Sequence, residues 1–188
     1  MINNTPNNPT NKNGKKRYKQ GNFIPQNKDS VVKLNSKGGI YFRSGYEYKI
    51  YKYLDLMSCK PEGEYPRVLR WGAEFVEIPY KKRSVKKTKW GENQWKETEH
   101  RYYPDVYYEL EKSNGDISKV LAEIKPYSET KEPQLPKNTT KKQLESFEYA
   151  MNMWNANMSK WTQAIEYSKN RGLKFVVISE KYINMLKN

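Results

Sequence analysis

Three residue types at two places in this 188-residue chain carry the chemistry of interest: Pro104-Asp105, and Glu123-Ile124-Lys125 about twenty positions on. Both lie in apolar or aromatic surroundings, Y-Y-P-D-V-Y-Y-E-L from residue 102 and V-L-A-E-I-K-P from residue 120, joined by a polar turn. Each reads as a β-strand, in which residues two apart share a face and lie about 6.5–7 Å from each other. Glu123 and Lys125 therefore project to one side, and Val120, Ala122 and Ile124 to the other. Pairing of the two strands brings Asp105 beside Glu123. Two carboxylates and an ammonium then converge at the end of a sheet, where a hard divalent cation and a phosphodiester find their partners. The Ile124 carbonyl can add a ligand. Lys125 can orient an attacking water, help deprotonate it, or offset charge building on phosphorus. A plainer reading makes Glu123 and Lys125 an exposed charge pair and Asp105 a strand start, where a preceding Pro is tolerated. The acids nonetheless interrupt strands that should be buried, and buried charge without a partner is costly.

The elements that position this set follow from pattern. Ser44-Gly45-Tyr46-Glu47 fits the capping box S-x-x-E at a helix start, and Tyr46, Ile50, Tyr53, Leu54 and Met57 recur at helical spacing. Lys60-Pro61 and Gly63 end that helix. Glu47 falls about 100° from Tyr46 and beside Leu54, at about 80°, on the shoulder of the apolar stripe. From there it can act as a capping acid only, or look into the site as a fourth member. Residues 68–80, V-L-R-W-G-A-E-F-V-E-I-P-Y, read as one strand, with Phe75, Glu77 and Pro79 opposite Val76 and Ile78. Ser113-Asn114-Gly115-Asp116 is a hairpin turn by composition. A polar loop with Pro133 and Pro136 ends at Thr139 or Thr140 as an N-cap. Leu144, Phe147, Met151 and Trp154 then mark a helix, expected to break or bend around Asn155-Ala156-Asn157. Trp161, Ala164, Ile165 and Ser168 continue a helical face to Arg171-Gly172. Residues 174–179 form a short buried strand before a last helical turn or two. The expected fold is α/β, a central mixed sheet flanked by helices.

Composition bounds the partners. The chain carries a net charge of +14 and a pI near 9.6, which favours polyanions through counterion release. No apolar run approaches the ~20 residues of a spanning helix, and the start of the chain lacks the apolar core of a signal peptide. Nucleic acid is preferred over a membrane surface. One Cys and one His make neither an internal disulfide nor a zinc site; a reducing cytoplasm fits, and His100 reads as a surface residue. Residues 1–38 are polar and basic, with Lys15-Lys16-Arg17, and are expected to form a largely disordered arm ahead of a domain at 39–188. Within the arm, G-N-F-I-P-Q-N at 21–27 has two large apolar residues able to dock. Residues 81–89 hold six cations and no acid: Lys81, Lys82, Arg83, Lys86 and Lys87, with Lys89. Flanked by Trp90 and Trp95, they read equally as a solvated face or as a DNA-clamping loop.

Helical Glu47, Pro104-Asp105 and Glu123-Ile124-Lys125 match the PD-(D/E)xK nuclease signature. Around them stand I-Y-F-R-S-G-Y-E-Y, R-W-G-A-E-F-V-E-I-P-Y, H-R-Y-Y-P-D-V, A-E-I-K-P-Y, N-M-S-K-W and R-G-L-K-F-V-V-I-S-E, in that order. Together these resemble the head completion nucleases of large contractile-tailed bacteriophages, relatives of the TnsA-type transposon endonuclease N-terminal domain. The likeness spans roughly residues 21–180; the insert at 81–95 is longer and more basic than the family's short turn. It implies a restriction-endonuclease-like core and cleavage of DNA with Mg²⁺, for which Mn²⁺ can substitute. Catalytic roles fall on Glu47, Asp105, Glu123 and Lys125, and metal ligation on Asp105, Glu123, Glu47 and Ile124. Glu74, Asn157 and Lys160 sit in family-like motifs as supports of the site or contacts to DNA, while DNA contact by Lys81, Lys82, Arg83, Lys86 and Lys87 is expected from the charge run and not from the likeness. The likeness further implies a virion protein of the head or neck, made in the host cytoplasm, acting after genome packaging and meeting portal, neck or head proteins. Two alternatives are a structural connector that keeps the nuclease fold and a TnsA-type transposon endonuclease subunit. Intact Asp, Glu and Lys count against the first, and the short chain against the second.

Overall fold

The computed structural model describes residues 20–87 and 93–185, with the backbone alone for 83–87 and 93–95. The centre is a four-stranded mixed sheet in the order β3-β6-β7-β8, comprising β3 (Arg67–Ala73), β6 (Val106–Glu111), β7 (Ile117–Ile124) and β8 (Lys174–Ile178). The first three strands are antiparallel, and β8 joins β7 in parallel. A parallel pair needs a crossover, supplied here by α2 (Lys141–Lys169). The asparagine–glycine turn forms as expected: Lys112 N–H donates to the Asp116 carbonyl and Gly115 takes φ 81°.

The period-2 alternation of β7 divides the core. Ala122 and Ile124 face α1 (Gly45–Ser58), packed with Ile50, Tyr51, Leu54 and Trp71 and with Ile183 of α3 (Glu180–Met185). Leu121 faces the other way, onto Ala164 of α2 and onto Ile78, Tyr80 and Tyr102. Glu123 is two residues from Leu121 and so shares the α2 face. The buried strand expected at 174–179 is β8, and it is only partly covered: Lys174 and Val176 are exposed, Phe175 and Val177 half-buried, and Ile178 is its one buried residue.

Four expectations change. Residues 20–38 belong to the folded domain and not to a disordered arm. Among them β1 (Gly21–Phe23) pairs antiparallel with β2 (Ile40–Phe42), and the Val32 N–H donates to the Trp71 carbonyl. The G-N-F-I-P-Q-N segment docks as anticipated: the Asp55 carboxylate on α1 accepts from Gln26 N–H at 2.9 Å and Asn27 N–H at 3.2 Å. Lys15-Lys16-Arg17 lie outside the described residues. The strand expected over 68–80 is two strands, broken at Glu74, whose φ is +46°. The cationic connection is not a loop: β4 (Ile78–Lys87) and β5 (Asn93–Tyr102) pair along their length as a two-stranded hairpin. Trp90 lies outside the described residues, as do the side chains of Arg83, Lys86, Lys87 and Trp95. Finally, α2 runs unbroken through Asn155-Ala156-Asn157. Its capping box is Thr140 with Gln143, and in its first turns Leu144 and Tyr149 are exposed. Among the described residues no helix is long and apolar enough to cross a membrane.

Candidate active site

Three chain segments end at one edge of the sheet, and register brings them side by side. Ala73 pairs with Val106, and Val106 with Ala122. The residues one step outward are Glu74, Asp105 and Glu123. Asp105 thus sits in the bend between β5 and β6, not inside a strand, and its carbonyl accepts from Glu74 N–H at 3.4 Å. Pro104 suits that place, since it has no N–H to offer a ladder.

Glu123 is 4% exposed, and each of its oxygens is engaged. Oε2 accepts from the Tyr102 hydroxyl at 2.7 Å, and Oε1 lies 3.1 Å from Lys125 Nζ. The Asp105 Oδ2 accepts from Ile124 N–H at 2.6 Å. Burial and the adjacent Glu123 charge push the Asp105 carboxyl up to about 8, against the pull of the Ile124 N–H and Lys125; Glu47 adds to the rise. Burial also raises the Tyr102 phenol, with Glu123 reinforcing it. Burial opposes the charge on Lys125, yet Glu123 and then Asp105 outweigh it and raise the ammonium.

Asp105, Glu123 and Lys125 therefore converge as their spacing foretold. Lys160 joins them from α2, its Nζ 5.8 Å from the Tyr102 ring centre and 5.9 Å from that of Tyr80. Asn157, one turn earlier on α2, is buried. Ile124 takes part through its N–H, which it donates to Asp105, and one expectation is met differently. Glu47 turns its carboxylate back over the helix start, where Oε2 accepts from Arg43 N–H at 2.8 Å while Ser44 Oγ accepts from Glu47 N–H. The reciprocal half of the expected capping box is therefore not made, since the carboxylate bonds the residue before the N-cap and not Ser44 N–H, and Glu47 remains near enough to Asp105 to raise its carboxyl. Lys81 and Lys82 lie exposed at the base of the hairpin, Lys81 paired with Glu97 at 3.0 Å.

A cleft of about 550 Å³ opens over the carboxylates. Sequence reasoning missed four of its members: Tyr102, Tyr103, Arg43 and Arg101. Tyr102 stands three residues before Asp105, but only the fold shows that its hydroxyl reaches Glu123. Arg43 pairs with Glu74, and Arg101 with Glu77 at 3.3 Å.

The donor set suits a hard divalent cation. Two adjacent carboxylates face one ammonium, one phenol and one backbone N–H, and Asp105 keeps its proton well above the usual carboxylate range. A cation between such acids removes their repulsion, and Mg²⁺ commonly takes one or two carboxylates with water and phosphate completing the shell. Among the described residues no three acidic, His or Cys side chains gather as a ready-made cage.

A mixed sheet that delivers P-D and E-x-K to one edge places the protein in the nuclease class. The chain belongs to the TnsA-like endonuclease N-terminal family, which it matches over residues 65–180. That span holds Asp105, Glu123, Lys125 and Lys160, and leaves out α1 with Glu47. The chain is also 26% identical over 166 residues to the head completion nuclease of Enterobacteria phage T4, across 88% of this chain and 94% of that protein. No solved structure matches the chain.

Proposed function

We propose that this protein is a divalent-metal-dependent endonuclease of DNA that acts in the completion of a bacteriophage head after packaging, in contact with portal, neck or head proteins. The observation that carries the chemistry is the pair of half-buried Asp105 and buried Glu123 beside Lys125 at the sheet edge. The biological setting rests on the likeness to the phage T4 protein.

Asp105 and Glu123 would hold Mg²⁺ or Mn²⁺. When bound there, the ion supplies Lewis acidity to a phosphoryl oxygen and lowers the pKa of water. Tyr102 and Lys125 fix the two oxygens of Glu123, so the carboxylate keeps one orientation when substrate arrives. The Lys125 ammonium faces the same cleft and offsets negative charge as it grows on the attacked phosphate. Lys160, held over two tyrosine rings, brings a second cation to the phosphate backbone. Lys81 and Lys82 extend the basic surface to the base of the hairpin, and with Arg83, Lys86 and Lys87 further along the sequence of β4 they are proposed to make Coulombic contacts that bind any DNA sequence.

The test is plasmid cleavage by purified protein with Mg²⁺ or Mn²⁺. Asp105→Asn and Glu123→Gln should each lower the rate about a hundredfold or more while the variants still bind DNA. Undiminished cleavage by both variants would refute the assignment.

A further inference from the structure

The cleft mouth carries two arginine–carboxylate pairs that the carboxylate–lysine chemistry does not use. Arg43 meets Glu74, with side chains 59% and 37% exposed, and Arg101 meets Glu77 at 3.3 Å, 73% and 45% exposed. The Tyr103 hydroxyl also donates to Glu77. Both arginines line the same cleft as Asp105, Glu123, Lys125 and Lys160.

Guanidinium presents a planar fork of donors that fits carboxylate and phosphate alike, two hydrogen bonds at a time. A carboxylate on such a fork therefore occupies the place a phosphate would take. Glu74 is held there by an unusual backbone. Among the described residues it is the sole non-glycine with positive φ, at +46°, in the turn where β3 gives way to β4. Exposed ion pairs of this kind are weak, so a polyanion offering several phosphates at once can displace them. Acids held at the mouth of a cationic cleft otherwise oppose the approach of DNA.

We infer that Arg43 and Arg101 are the phosphate clamp of this cleft, and that Glu74 and Glu77 occupy the clamp in the DNA-free protein until substrate phosphates replace them. This deepens the nuclease proposal and rests on it for the identity of the substrate. It gives Glu74 the role of a phosphate stand-in, distinct from ligation of a metal.

Binding of a labelled duplex to the full chain in EDTA, where cleavage is absent, reads the clamp by itself. Glu74→Gly suits the positive φ and removes the carboxylate; Glu74→Gln removes the charge and keeps the shape. Both should tighten Kd by about threefold to tenfold. Arg43→Met should weaken it by a similar factor and flatten the slope of log affinity against log salt by about 0.9. In the Arg43→Met background, Glu74→Gly should change Kd by less than about twofold. Unchanged or weaker binding by both Glu74 variants would overturn the clamp, and so would a tightening that persists without Arg43. Loss of DNA binding by the wild-type chain would overturn it together with the substrate. If the Glu74 effect holds but wild-type protein cleaves nothing with Mg²⁺ or Mn²⁺, the clamp stands and the catalytic proposal falls.

Discussion

At Asp105 the surroundings govern the proton. Burial and Glu123 raise its carboxyl from 3.8 to about 8, Glu47 adds to this, and the Ile124 N–H and Lys125 oppose it. In metal-free protein the folded state therefore keeps a proton that the unfolded chain releases near pH 4. The unfolded state then binds fewer protons, so stability falls as pH rises, from about 4 until the folded carboxyl itself ionises near 8. Urea unfolding in EDTA should show this as a lower midpoint at pH 8.5 than at pH 5.5. Asp105→Asn should remove much of the difference, on the order of a few kcal/mol, and Mg²⁺ should restore the wild-type midpoint at high pH. A wild-type profile indifferent to both changes would contradict the coupling. Tyr102 shows what residue-level reading could not reach. Nothing in H-R-Y-Y-P-D-V tells which tyrosine turns inward; the fold buries Tyr102 against Glu123 and leaves Tyr103 at the surface with Glu77.

At the scale of elements, the N-terminal segment and α1 depend on one buried acid. Asp55 is 3% exposed and accepts from the Gln26 and Asn27 backbone, so it takes the place of a missing strand partner for that stretch. Asp55→Ala leaves those N–H groups without an acceptor and should cost about 2–3 kcal/mol, measured as a lower urea midpoint. Proteolysis between residues 20 and 39 should accelerate with it. The stripe Ile50, Leu54 and Met57 was legible because helical spacing exposes it. Asp55 was not, because an acid beside that stripe looks like a solvated one until a distant segment arrives to cover it. The same limit explains the break at Glu74. Residues 68–80 alternate as a strand does, and only the change of sheet from β3 to β4 requires a left-handed residue there. Gly39 shows a close approach that pattern hides: a Cβ at this position would lie 2.5 Å from the Phe23 carbonyl oxygen, so β1 approaches β2 as closely as it does only because the residue is glycine.

Over the whole molecule, charge and shape combine. The net charge of +14 favours a polyanion of any sequence, and the cleft, α2 and the β4–β5 hairpin present cations in one neighbourhood. Log affinity for duplex DNA should fall against log salt by about 0.9 for each phosphate neutralised. Lys160→Met should lower that slope by about one contact and weaken unrelated sequences equally, as competition binding would show. A sequence-selective loss would contradict a backbone-tracking surface. Among the described residues the hairpin stands as a two-stranded wing against α2 and not as the loop its charge run suggested. Its like charges hid the strand pattern, because pairing is set by the partner strand β5 and not by the cations themselves.

By itself the sequence determined the chemistry at the sheet edge: the alternation of β7 places Glu123 with Lys125, and apolar strands around Asp105 force the two acids together. It also determined the α/β class, the helix start at Ser44 with a second at Thr139 or Thr140, and the preference for a polyanion, since local spacing and net charge are properties of the chain. Tertiary structure alone decided which carboxylates enter the cleft. Glu47, equally placed by helical geometry, turns its carboxylate to the Arg43 N–H, whereas Glu74, forty-nine positions before Glu123, is brought beside Asp105 by the register of β3 with β6. Tyr102 and the arginines likewise became part of the site only through strand order, because contacts between residues remote in sequence are set by how elements pack and not by what each element contains.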